Sequence, residues 1–110
     1  MAKINFDNMT YKEIEERYKK YKIPGHYQFE NAEQVKKVFG WDFRTIRGMK
    51  NLTNEDKELA EILICRYLNG WGLASRHKQR PRSIVKLRDC YKVTFIYKGY
   101  SYLYFNGTVG

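Results

Sequence analysis

The chain has 110 residues and carries twenty-one lysines and arginines against twelve acids, a formal charge of +9 at pH 7. That length favours a single domain, 1–110, with a modest core, and a composition 43% hydrophobic with two prolines excludes a fibrous or low-complexity chain. The longest apolar run, ILIC at 62–65, is far too short for a membrane span, and "MAKINFDNMT" has no apolar signal core, so a cytoplasmic protein with no membrane partner is expected.

A helical part is predicted over about 9–70. Thr10 and Glu13 form a capping box, after which Tyr11, Ile14, Tyr18 and Tyr21 recur at helical spacing. Lys19, Lys20 and Lys22 suit the negative end of that helix, and Pro24-Gly25 closes it. Asn31 with Gln34 opens a second helix through Phe39, and Gly40 stops it as a left-handed cap. A third short helix is expected from 42 to about 50. Thr53 caps a fourth, with Glu55, Asp56 and Glu58 in its first turns. Its residues Leu59, Ile62, Leu63, Arg66 and Tyr67 trace one face, broadened by Ile64 and Leu68.

Beyond Gly72 the pattern alternates. "SRHKQRPR" at 75–82 reads as a basic connector, and "SIVKLRD", "YKVTFIYK" and "YSYLYFN" read as three strands of a β-meander over about 83–106. Lys98-Gly99 marks a tight turn between the last two strands, and Asn106-Gly107 a further turn with too few residues after it for a firm fourth strand. The expected fold class is α+β: an N-terminal bundle of about four short helices, then a small three-stranded antiparallel sheet. Cys65 falls in an apolar helix and Cys90 beside a strand, without metal-type spacing, so both are expected as reduced thiols.

The charge is uneven. Residues 1–60 hold twelve basic and ten acidic side chains, a balance of +2; residues 61–110 hold nine basic and two acidic, a balance of +7. Such asymmetry points to a polyanionic partner, since each neutralised phosphate releases a counterion.

"KGYSYLYF" at 98–105 nearly spells the octapeptide of RNA-recognition motifs, whose sheet aromatics stack on bases. That fold needs a βα unit ahead of the octapeptide, whereas here the first half reads as helices, and Ser101 stands where a Gly or Ala belongs. The stretch is therefore a hairpin arm. Its alternation still puts Tyr100, Tyr102 and Tyr104 on one side and Leu103 and Phe105 on the other. If the Leu103 side covers the helices, the tyrosine row faces water and offers a stacking or partner surface.

"VKKVFGWDFRTIRGM" at 35–49 resembles the helix-turn-helix of bacterial and phage DNA-binding proteins. Val35 and Phe39 match the buried positions of the first helix and Gly40 the turn glycine. Trp41 matches the apolar turn residue, Asp42 the cap, Ile46 the buried β-branched position and Met49 the terminal apolar one. The resemblance implies that Arg44, Thr45 and Arg47, with Lys50 beyond them, lie on the exposed surface of a reading helix, where side chains reach base edges and phosphates. The connector cations Arg76, Lys78, Arg80 and Arg82 are then expected along phosphates beside it, and the strands as a wing or a homodimer surface.

No catalytic residues, metal site or cofactor are assigned. No Gly-rich phosphate loop or paired-carboxylate motif is present, and His26 and His77 have no ligand spacing with the cysteines. The expected function is a small basic nucleic-acid-binding protein, a transcription regulator of phage or bacterial kind, with DNA ahead of RNA as partner. Its alternative is a phage or mobile-element inhibitor of a host nucleoprotein or nuclease, of the anti-CRISPR or anti-restriction type. A third reading is a metal-independent ribonuclease toxin using His77, Arg80, Arg82 and Arg88 with Tyr97 or Tyr102.

Overall fold

A computed structural model describes residues 10–97 and 99–110. The segment "MAKINFDNM" and Lys98 of the expected turn lie outside the described residues. Three helices, α1 (Tyr11–Lys20), α2 (Ala32–Phe39) and α3 (Asn54–Asn69), precede three strands, β1 (Pro81–Lys86), β2 (Cys90–Phe95) and β3 (Tyr100–Tyr104). The strands form an antiparallel sheet in the order β1-β2-β3, so the mixed α+β character and the meander are as the sequence indicates. Among the described residues no helix is long and apolar enough to cross a membrane.

The caps act as their residue types dictate. Thr10 Oγ1 accepts from the Glu13 amide at 3.2 Å, Asn31 Oδ1 from Gln34 at 3.0 Å, and Thr53 Oγ1 from Asp56 at 3.1 Å. Gly40 closes α2 at φ 76, a left-handed conformation in which a Cβ is strained. The buried face of α3 is Ala60, Leu63, Ile64, Cys65 and Leu68, while Ile62 and Arg66 point to solvent. That face is rotated from the expected one. The buried residues follow the i, i+3, i+4 rule from Ala60, not from Leu59.

The third helix expected at 42–50 is absent. In its place stand two single 3₁₀ turns, Phe43–Thr45 and Met49–Asn51, separated by Ile46 at ψ 133 and Gly48 at φ 94. A tertiary pairing overrides the helical pattern. The Arg47 amide donates to the Arg82 carbonyl at 3.3 Å, and the Ile84 amide donates to the Arg47 carbonyl at 2.8 Å. Arg47 thus lies beside Ser83 as a parallel bridge on the free edge of β1. Phe43, Ile46 and Met49 are all buried, and their spacing of three serves 3₁₀ turns as well as it serves a helix.

One core joins both halves. Ile14 and Tyr18 of α1, Val35 and Phe39 of α2, and Leu63 and Leu68 of α3 share a cluster with Tyr91, Val93, Phe95 and Leu103 of the sheet. Each such buried side chain stabilises the fold by about 1.5–3 kcal/mol. Trp41 stacks on Phe39 at 4.5 Å, and Tyr18 meets Phe29 at 5.3 Å. The other face of the sheet carries Ser83, Val85, Lys92, Thr94, Tyr100, Tyr102 and Tyr104.

The connector at 75–82 is not a solvated loop. Leu73–Arg76 forms a helical turn, Arg76, His77 and Gln79 are buried, and Pro81 and Arg82 already belong to β1.

Candidate nucleic-acid interface

The site is assembled around β1. The register with β2 shifts between Pro81 and Ser83, so Arg82 is the extra residue of a bulge, a device that re-aims one side chain. On one flank Arg47 pairs with β1, and Gly48 crosses so close to it that an added Cβ would sit 2.2 Å from the Ile84 carbonyl oxygen. The result is an open groove of about 720 Å³. Arg47, Lys50, Arg82 and Lys86 supply its charge, and Val85 and Thr94 are among its other lining residues. None of its lining residues is acidic.

Only Lys86 of those four cations has an acidic partner, Asp56 at 2.9 Å; Arg47, Lys50 and Arg82 have no carboxylate within ion-pair distance among the described residues. Asp56 sits in the first turn of α3 and also accepts the Tyr91 hydroxyl at 2.5 Å. The Tyr91 hydroxyl and Lys86 together hold the Asp56 carboxyl below the usual carboxylate range. Burial and the same carboxylate push the Tyr91 phenol up. Next to the groove, and sharing Arg82 with it, lies a smaller pocket of about 180 Å³. Trp41, Phe43, Ile46, Pro81 and Ile96 give it apolar walls, and Arg80 lies among its lining residues.

The groove continues onto the outer face of the sheet. Cross-strand register puts Ser83 opposite Thr94 and Thr94 opposite Tyr100, with Val85, Lys92 and Tyr102 as the next row. Tyr100 is 56% exposed, whereas Tyr102 and Tyr104 are half-buried. The Lys92 ammonium lies 4.4 Å from the Tyr100 ring centroid, and Tyr100 meets Tyr102 edge-on at 5.4 Å. The Tyr100 hydroxyl beside it holds Tyr102 above its ordinary ionisation range. The tyrosine row faces away from the helices, as the alternation indicates.

The residues implied by the helix-turn-helix resemblance divide. Arg47 and Lys50 reach the groove. Arg44 is exposed but gives Nε and Nη2 to Glu61 Oε1 at 3.1 and 2.8 Å, and that carboxylate raises its pKa further. Thr45 donates its hydroxyl to the Asp42 carbonyl at 2.6 Å. The buried set Val35, Phe39, Trp41, Ile46 and Met49 is buried here, yet the backbone across 43–51 is not a reading helix.

Arg76 is a correction. It is 2% exposed, far from a phosphate-facing role. Its guanidinium donates Nε to the Trp71 carbonyl at 3.0 Å, Nη2 to Asn69 at 3.3 Å and Nη1 to Tyr27. It also lies over the rings of Tyr18 and Phe29, each 5.8 Å away. Burial pushes the Tyr18 hydroxyl up to about 12, against the opposing pull of Arg76.

Of the other connector cations, Lys78 and Arg80 are exposed, and Arg80 borders only the smaller pocket. His77, the base of the ribonuclease reading, is buried, 4% exposed. Both cysteines are free and buried, and burial pushes the Cys65 thiol up to about 12. Comparison with protein-family models, with curated proteins and with solved structures finds no match.

Sequence reasoning missed Lys86, Gly48, Val85 and Ser83. For Ser83, Val85 and Lys86 the only signal is the alternation of "RSIVK", and it carries no hint that Arg47 and Gly48, thirty-odd positions away, pack alongside.

Proposed function

We propose that this is a nucleic-acid-binding protein that meets phosphates in the groove between β1 and the 47–52 segment. The supporting observation is the composition of that groove: four cations, no acid among its lining residues, and three of the four without a carboxylate partner among the described residues. Cations left unpaired along one concave surface focus a positive potential and exchange readily with the counterions of a polyanion. A regulator of DNA, as the sequence suggests, is one setting for that chemistry. The groove would then replace the reading helix as the contact element, with Arg47 and Arg82 in place of Arg44. No group is assigned a catalytic role.

Binding of a labelled oligonucleotide measured across a salt series tests this. The expected result is a linear fall of log affinity with log salt, with a slope that shallows by about one for each phosphate contact removed. Arg47→Ala and Arg82→Ala should each shallow it, and Arg44→Ala should not. Absence of binding at low salt overturns the proposal.

A second reading has its own observation. Ile96 and Tyr97 are 44% and 53% exposed, next to Arg80 and the apolar pocket, a pairing of apolar anchor and cation that suits a protein partner. An inhibitor of a host nucleoprotein would use that corner. Loss of a defined target's co-purification on Ile96→Glu, with oligonucleotide binding intact, is the outcome expected of it.

A further inference from the structure

Building on the groove as a phosphate site, we infer that the ligand is a single-stranded polynucleotide, its backbone in the groove and its bases laid across the outer sheet face onto Tyr100. Three observations converge. First, groove and tyrosine row share a floor: Thr94 lines the groove and is the register partner of Tyr100. Neighbouring strands lie about 4.8 Å apart, so Tyr100 stands roughly 10 Å from β1, a span of about three nucleotides at stacked spacing.

Second, the aromatic is a partly exposed ring that already attracts a cation. Tyr100 is more than half exposed on the side of the sheet opposite the helices, and the Lys92 ammonium lies over its ring, 4.4 Å from the centroid. A base stacks on that face by displacing the ammonium, which stays within reach of the base's own phosphate. Tyr102, edge-on to Tyr100, fixes the ring's orientation. Third, the walls of the groove are a strand and a 3₁₀ turn, with no helix presented to a duplex groove. A duplex keeps its base faces stacked inside and offers phosphates and base edges, so it gains the groove but not stacking on the tyrosine. A single strand gains both, and each base stacked on an aromatic ring tightens binding by about tenfold.

The test compares three fluorescent oligonucleotides about twelve nucleotides long, of one sequence: single-stranded DNA, single-stranded RNA and the DNA duplex. Anisotropy titrations at two salt concentrations are expected to show either single strand bound about tenfold or more tightly than the duplex. The DNA and RNA arms identify which sugar is preferred. Tyr100→Ala should lose about tenfold for single strands and leave the duplex unchanged, and Tyr100→Phe, which keeps the ring face, should retain the single-strand affinity. Tyr100 is exposed, so an unchanged thermal midpoint checks that each variant folds. Equal or tighter duplex binding that still depends on Arg47 and Arg82 overturns this inference and leaves the groove standing. A Tyr100→Ala variant that binds single strands normally overturns it too. No binding of any of the three overturns both.

Discussion

Arg76 and Arg82 belong to one basic run and end in opposite environments. Around Arg76 the chain has gathered carbonyls that have no helical partner, at the C-terminal end of α3 and at Tyr27, and has roofed them with Tyr18 and Phe29. A guanidinium supplies five donors in a fixed fork, which satisfies several orphan acceptors at once. Around Arg82 a bulge turns the side chain outward into a concave surface with no acid among its lining residues. The difference teaches that a run of cations has no single role. Each arginine goes where its donors find acceptors, in the protein or in a partner.

The comparison is tested most severely at Arg76. Arg76→Ala leaves buried carbonyls without their donor and should destabilise the fold by about 3–5 kcal/mol, read as a lower urea midpoint. The molecules that remain folded should bind nucleic acid as before. Gly48→Ala comes next, since it asks for φ 94 with a Cβ placed 2.2 Å from the Ile84 carbonyl. A loss of about 2–3 kcal/mol is expected, and the groove wall should loosen with it, so stability and affinity fall together.

Arg82→Ala should reverse that pattern. Its unfolding free energy from urea titration should stay within about 0.5 kcal/mol of the parent, while oligonucleotide affinity at low salt falls several-fold. A variant that melts early instead would mean that Arg82 serves the fold as Arg76 does.

The smallest effect concerns Asp56, which joins the core to the groove through Tyr91 and Lys86. Its pKa is depressed in the folded protein, so its contribution to stability is fully present above the unfolded carboxylate value, about 3.9. That contribution is lost as pH falls through the lower folded value. Melting curves of the parent and of Asp56→Asn should therefore converge in acid and separate above about pH 4. Parallel curves throughout would detach Asp56 from the pH response.

Much of the fold was written locally. Thr10, Asn31, Gly40 and Thr53 announce helix ends through hydrogen bonds and backbone angles that involve only near neighbours. The strand alternation places the tyrosine row correctly for the same reason. What failed was non-local. The pattern at 42–50 is compatible with a helix, but the Arg47 amide and carbonyl are spent on β1, and no property of those nine residues shows that pairing. The charged residues behave alike. Glu61 captures Arg44, Asp56 captures Lys86, and Arg76 is held by the Tyr27 carbonyl, distant in sequence, together with the nearer carbonyls of Asn69 and Trp71. Net charge by halves signalled a cationic surface, but the groove needed Arg47 and Lys50 from the less basic half to complete it.

The chain itself covers part of each rim of the sheet. Arg47 occupies the ladder beside β1, and residues 108–110 run antiparallel along β3, where Tyr102 exchanges hydrogen bonds with Gly110 at 2.9 and 3.2 Å. A second molecule approaching side-on therefore meets some donors and acceptors already satisfied at Arg82, Ile84 and Tyr102. Such partial cover shortens the stretch of edge open to cross-molecular strand pairing, a device that works against edge-to-edge aggregation.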